Sequence, residues 1–365
     1  MSSGTSSNNR AIIIPVFILV FFGLAMLSSA GVVDGQRKFG SVYYYFNHQL
    51  FFGFLPGVLL YFIFSKIKYQ FWKKLSLPFL ILSIGLLVAI FIPGFGVKAK
   101  GAARWISLGF FSFQPAEVLK LSLIIYFAAW FSGRREKVRN WSYSLVPFLV
   151  ILGFITLLLA RQPDIGTLSM VAVIAITMYF LAGAEMKHFI ALAGLIIMVF
   201  ALLVFFAPYR FNRLLAFARP ESDTQGISYH INQARVAIGR GGLFGMGFGQ
   251  SRQKVNFLPE PVGDSIFAVI TEELGLMGAG FLLGIILWLS AVLVKLSRRT
   301  SDRFAQLFLL GLTVWIAGQS FVNIGAISGL IPLTGIPLPF ISYGGTSLAV
   351  ILGALGIASN IAKHS

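Results

Sequence analysis

Ten mostly apolar runs recur along this chain, at 11–31, 47–64, 77–93, 115–131, 144–160, 168–182, 188–207, 265–294, 304–328 and 341–361. Most approach the roughly 20 residues that a helix needs to cross a ~30 Å hydrocarbon core. Between them lie only short segments and one long one, so no separate soluble domain is left over. The composition agrees: 57% of residues are hydrophobic and 11% charged, against about 25% charged in an ordinary soluble domain. The expectation is an all-α, polytopic membrane protein of about ten transmembrane helices, one domain over 1–365, with a large outer loop at 208–263 between helices 7 and 8. Only Arg10 precedes the first run and no convincing cleavage site follows it, so it reads as a retained helix. With no cysteine in the sequence, disulfides, thiolate catalysis and cysteine metal sites are excluded.

The formal charge is +17, and its distribution orients the chain. Lys66, Lys68, Lys73 and Lys74, then Arg134, Arg135, Lys137 and Arg139, then Lys295, Arg298, Arg299 and Arg303 fall in alternate short loops, which the positive-inside rule assigns to the cytoplasm. Ten spans then put Arg10 and Lys363 inside as well. The opposite face is unexpectedly basic. Lys98, Lys100 and Arg104 share one outer loop, and Arg210, Arg213, Arg219, Arg235, Arg240, Arg252 and Lys254 lie in or beside the large one. Topology gives no reason for them. Two readings stand: solvated or headgroup-binding cations, and a site for an anionic substrate, since Arg and Lys hold phosphate through charge-assisted hydrogen bonds.

Within the large loop, Ile227, Ile231, Ala234 and Ile238 recur at helical spacing behind a Ser228 cap, predicting a short helix along the membrane surface with His230, Gln233 and Arg235 on its other faces. Gly239, Gly241, Gly242, Gly245, Gly247 and Gly249 follow. They fit tight turns better than a phosphate cradle, because no βαβ unit surrounds them.

Charges inside apolar runs mark the interior. Glu117 and Lys120 share a helix face in the fourth run, and each is costly at mid-bilayer, so they pair or face a wet cavity. A bundle-locking salt bridge and a direct substrate role are both open. Glu272 and Glu273 lie about 12 to 13 Å deeper than Asp264 on a continuous helix. At least one of them should meet a cation or a helix end, with Lys120 a possible partner. Asp264, at the mouth of the eighth run beneath the basic loop, is where water and a polar acceptor can reach a carboxylate, which makes it a candidate catalytic base. Asp164, in Arg161–Thr167, reads first as a turn former. Pro332, Pro337 and Pro339 ahead of Ser342-Tyr-Gly-Gly predict a broken, re-entrant segment forming a wall of the site.

Five motifs occur in order: Gly101-Ala-Ala-Arg-Trp-Ile106, Phe113-Gln-Pro-Ala-Glu117, Gln162-Pro-Asp-Ile-Gly-Thr167, Leu258-Pro-Glu260 with Asp264-Ser-Ile-Phe-Ala268, and Pro337-Leu-Pro-Phe-Ile-Ser-Tyr-Gly-Gly345. On this frame they resemble the SEDS family of shape, elongation, division and sporulation proteins, over essentially the whole chain. The segment Gly245–Lys254 is more similar to the FtsW-type division members than to the RodA-type elongation members. The resemblance implies a peptidoglycan glycosyltransferase that polymerises lipid II into nascent glycan outside the cytoplasmic membrane, beside a class B penicillin-binding protein, other division proteins and membrane lipids, and with no nucleic acid. It implies Asp264 as the essential loop aspartate, Glu260 as the acid before it, and Glu117 and Lys120 as the family's charged pair. Ala103 and Ser265 depart from the commoner pattern, where a polar or basic residue and a Phe often stand.

That reaction needs a base for an alcohol nucleophile, for which Asp264 is the candidate, and cations for the departing diphosphate, with Arg104 first and then Arg210 and Lys254. Glu260, Asp164 and Ser342 complete the expected substrate contacts. A divalent cation, Mg2+ or Mn2+, is an optional aid, and no resident metal is implied, because no His or acidic cluster has ligand spacing. A lipid transporter lined by the intramembrane charges, and a scaffold without chemistry, are the competing readings.

Overall fold

The computed structural model describes residues 2–99, 102–107, 109, 112–133, 138, 140–205 and 227–364. The chain opens with α1 (Ser2–Ala30), α2 (Val32–Phe39), α3 (Tyr44–Lys66), α4 (Tyr69–Lys74) and α5 (Ser76–Ala89). Three strands follow, β1 (Gly96–Ala99), β2 (Ala102–Ser107) and β3 (Ser112–Phe113), and then α6 (Pro115–Ser132), α7 (Val146–Arg161), α8 (Ile165–Leu181) and α9 (Met186–Phe205). After the large loop's first part come α10 (Ile227–Gly241), α11 (Ile266–Arg299), α12 (Arg303–Ile327) and α13 (Gly345–Lys363).

Six helices are long and apolar enough to cross a membrane: Asn9–Ala30 within α1, then α3, α6, α11, α12 and α13. The expected runs at 77–93, 144–160 and 168–182 coincide with the shorter apolar helices α5, α7 and α8, and the run at 188–207 coincides with α9, which has 20 residues. By length and composition the described residues account for six of the ten expected spans. The all-α class is corrected in one respect. Among the described residues a small antiparallel sheet, in the order β1-β2-β3, pairs Val97 with Trp105 and Ile106 with Phe113. Strands of four, six and two residues are too short for an alternating pattern to declare itself beside long apolar runs.

α13 is the central helix. From Gly345 to Ala362 every residue but Ser347 is buried, as expected for a helix that is apolar on all sides. Small residues let α3 approach it closely. A Cβ on Gly57 would lie 3.1 Å from the Ala349 Cα, and one on Gly356 would lie 2.5 Å from the Tyr61 carbonyl oxygen. In hydrocarbon such close approach is a main source of helix association, since lipid is as apolar as the helices themselves. Opposite faces carry exposed Phe17, Phe21, Leu59, Val150, Leu157 and Leu287, an apolar periphery suited to lipid.

α11 is broken at Gly275, whose φ of 68° and ψ of −170° are non-helical. The glycine segment after α10 fits into the break. Met246 and Gly247 donate to the carbonyls of Glu272 and Glu273, while Leu276 and Met277 donate back to those of Gly242 and Leu243. A Cβ on Gly245 would lie 2.2 Å from the Glu273 carbonyl oxygen, so glycine is required there by contact as well as by its φ of 79°.

Candidate active site

The turn before α11 is wound on Glu260, whose carbonyl accepts from Gly263 and Ser265 at 3.0 and 3.2 Å. Two elements grip this turn from behind. The Tyr343 amide donates to the Val262 carbonyl at 2.8 Å, and Ser342 Oγ donates to the Gly263 carbonyl at 2.8 Å while accepting from the Leu338 amide at 2.8 Å. Ser342 is therefore committed to backbone and supports Asp264 from the rear. From α12, Asn323 Nδ2 donates to the Asp264 carbonyl at 3.0 Å and to the Ile336 carbonyl at 2.7 Å. One amide thus ties the aspartate to the proline-rich segment.

In front of this turn lies a cavity of about 470 Å³ whose lining includes Asp264, Glu260, His230, Arg104, Trp105, Asp164, Thr167, Glu117, Lys120, Thr334, Gly335 and Tyr343. Four helices, strand β2 and three connecting segments meet there, so residues far apart in sequence share one space. The proline-rich segment forms part of the wall, as expected.

Glu117 and Lys120 sit on the first turns of α6, where Pro115 starts the helix. Lys120 Nζ is 2.8 Å from Glu117 Oε1 and donates to Gln319 Oε1 at 2.8 Å, and it stands 5.0 Å from the centroid of the Trp315 ring. Gln319 in turn accepts from Trp315 Nε1 and donates to the Pro337 carbonyl, each at 2.8 Å. Both members of the pair are almost fully buried, and Glu117 Oε2 has no hydrogen-bond partner among the described residues. The pair thus closes the cavity floor and, through Gln319, fixes the proline-rich wall.

Asp164 caps α8, accepting from the Thr167 amide at 3.2 Å and from Thr167 Oγ1 at 2.9 Å. This is the turn-forming role expected of it, performed on the cavity wall. Arg104, projecting from β2, donates to the carbonyls of Gln162 and Pro163 and approaches Asp164 Oδ1 to 3.8 Å. Its side chain remains one-third exposed, so it holds the α7–α8 turn while facing the cavity.

The deeper acids have other partners than Lys120. Glu273 Oε1 is 2.6 Å from Lys254 Nζ, and the same carboxylate accepts from Ser29 Oγ and the Gly249 amide at 2.7 and 3.0 Å. Glu272 accepts from Ser251 Oγ at 2.5 Å and from the amides of Arg252 and Gln253 at 3.2 and 3.3 Å. Lys120 is therefore not their partner, because its charge is already matched on α6. Lys254, expected among the diphosphate donors, is buried as the counter-ion of Glu273 and borders a different cavity. Arg210, Arg213 and Arg219 lie outside the described residues. Arg235 donates to the carbonyls of Ser328 and Gly329.

Three residues went unassigned in the sequence. His230, on α10, reaches the cavity, with Nε2 2.6 Å from Ser265 Oγ, which itself donates to the Pro259 carbonyl at 2.7 Å. Asn323 and Gln319 are the others. Two amides four residues apart in an apolar run were the available signal, since such spacing stacks them on one face. The Tyr343 hydroxyl stands 3.0 Å from His48 Nδ1. Among the described residues no group of three or more His, Asp or Glu is placed to hold a metal ion.

The family model for FtsW, RodA and SpoVE, described as Cell cycle protein, matches residues 9–365. The chain belongs to this family. Stage V sporulation protein E of Bacillus subtilis is 36% identical to it over 368 residues, covering 100% of both chains. A probable peptidoglycan glycosyltransferase FtsW of Trichlorobacter lovleyi is 38% identical, covering 96% of this chain and 92% of that one. Among solved structures, the rod shape determining protein RodA of Thermus thermophilus is 27% identical with a TM-score of 0.70, covering 96% of this chain and 95% of its own. A chain from a peptidoglycan synthase complex described as coordinating polymerization and crosslinking is 27% identical with a TM-score of 0.80, over 97% of each chain. The SEDS resemblance seen in the five motifs is thus membership.

Proposed function

We propose that this FtsW-like SEDS protein is a peptidoglycan glycosyltransferase of the cytoplasmic membrane that polymerises lipid II at the outer face during cell division. One observation carries the mechanism: Asp264 borders a cavity that also presents Arg104, Asp164 and Glu260, at the junction of the helices and the outer segments. The 4-hydroxyl oxygen of an acceptor GlcNAc attacks the anomeric carbon of the growing glycan. As that C–O bond forms, its proton passes to the Asp264 carboxylate, which must stand within about 2.6 to 3.2 Å. The bond to undecaprenyl diphosphate breaks on the opposite side, so the α linkage becomes β. Arg104 stabilises the charge that develops on the leaving diphosphate, and Arg210 is retained as a second donor.

Both termini lie in the cytoplasm in this scheme, and a class B penicillin-binding protein crosslinks the product. A transport reading would need the intramembrane acids to line one path. Glu117 is matched with Lys120, and Glu272 and Glu273 are matched with the segment 249–254, so no observation favours it. Purified protein supplied with labelled lipid II tests the proposal: glycan chains should form and should vanish in Asp264→Asn. Full polymerisation by that variant would remove Asp264 from the mechanism, and headgroup translocation without chain growth would replace polymerisation with transport.

A further inference from the structure

We propose that the segment following α10 is a membrane-seated anchor, whose apolar side chains enter the acyl chains of the leaflet on the Asp264 side and hold the reaction cavity at a fixed height above it. Leu243, Phe244, Met246 and Phe248 are 61, 77, 40 and 53% exposed. Such a density of bare apolar side chains on a glycine-rich loop marks an interaction surface. The occupant is indicated by what adjoins it. Backbone hydrogen bonds join this segment to Leu276 and Met277 of α11, which are 60 and 63% exposed on a helix apolar enough to cross a membrane. The patch therefore continues the lipid-facing surface of a span.

Depth follows from helix length. α11 has 34 residues, about 51 Å if straight, which exceeds a ~30 Å core by about 20 Å. Its basic end, with Lys295, Arg298 and Arg299, belongs among headgroups. About 20 residues back from Lys295, one core thickness, is Gly275, the site of the break. The docked segment thus meets the hydrocarbon boundary, and the turn bearing Asp264 lies beyond the break by about 15 Å of helix length.

An irregular backbone at that boundary survives only if its polar groups are satisfied within the protein. Glu272 and Glu273 do this. Their carboxylates accept the amides of Gly249, Arg252 and Gln253, and Lys254 neutralises Glu273. The two acids that look like transport residues in the sequence are here the latch that lets a glycine loop sit in the interface.

The absence of cysteine makes the test direct. Phe244→Cys, Phe248→Cys and, as a lipid-facing reference, Met277→Cys are each labelled with an environment-sensitive fluorophore and reconstituted into lipid nanodiscs. The expected result is strong quenching of the Phe244 and Phe248 probes by lipids carrying a nitroxide high on the acyl chain, comparable to the reference, with little quenching by aqueous iodide. Iodide quenching without nitroxide quenching would overturn the anchor. Quenching by neither would overturn it too, and would assign the patch to a protein contact such as a second copy. Because the readout does not use turnover, failure here is separable from failure of the proposed polymerase activity.

Discussion

At the scale of single residues, the cavity depends on groups that never touch its contents. Asn323 holds the Asp264 and Ile336 carbonyls together; replacing it with Ala leaves the half-buried Asp264 carbonyl and the buried Ile336 carbonyl without this donor, at about 1 to 3 kcal/mol for the buried one. Asn323→Ala should lower the maximal polymerisation rate and the melting temperature together, whereas Asp264→Asn should lower the rate alone. Gel analysis of glycan chains alongside a fluorescence melt in detergent separates the two cases. The Glu117–Lys120 pair makes a different demand. Glu117→Ala strands a buried ammonium, and breaking such a pair costs about 3 to 5 kcal/mol, which a drop in melting temperature should report. Restoration of stability in Glu117→Ala, Lys120→Ala would assign the pair a structural role; restored stability with activity still absent would assign Glu117 to the chemistry as well.

Elements are positioned by close backbone contact, and here glycine spacing carries the information. The α3–α13 contact leaves a Cβ on Gly356 only 2.5 Å from the Tyr61 carbonyl, while one on Gly280, in α11, meets nothing within 4 Å. Gly356→Ala should therefore destabilise the protein by about 1 to 3 kcal/mol, the usual cost of overpacking, and Gly280→Ala should be neutral or slightly stabilising, since Ala favours helix over Gly. Gly245→Ala should behave like Gly356→Ala, because its Cβ would strike the α11 backbone. A melting series of the three variants checks the ranking, and equal melting temperatures would contradict the packing described. The sequence displays these glycines in full, yet those of the 239–249 run read as turn formers until their partner, the break at Gly275, is seen.

For the whole molecule, orientation is the property on which the proposed chemistry turns. The alternation of basic loops predicts that α4 lies inside and α2 outside, and the cysteine-free sequence permits a clean measurement. Gln36→Cys should react with an impermeant maleimide in intact spheroplasts, and Gln70→Cys only after permeabilisation. The reverse pattern would put Asp264 on the side where a polymer of the outer wall cannot grow. Six helices meet the length and composition needed to cross; α5, α7 and α8 are shorter, and their part in crossing depends on tilt and neighbours rather than on residue count.

What the residues alone determined is whatever follows from local period, length and chemistry: a helical membrane chain, the paired Glu117 and Lys120, the capping Asp164, the helix at 227–241 and the family motifs. Those features are written within a few turns of chain, where spacing sets geometry. Tertiary structure decided which distant groups meet. It carried Lys254 away from the cavity to Glu273, brought Asn323 to the Asp264 carbonyl and His230 to the neighbouring Ser265, and folded a short sheet that carries Arg104. A buried charge or amide is satisfied by any partner its surroundings supply, and local spacing does not record which segment that will be.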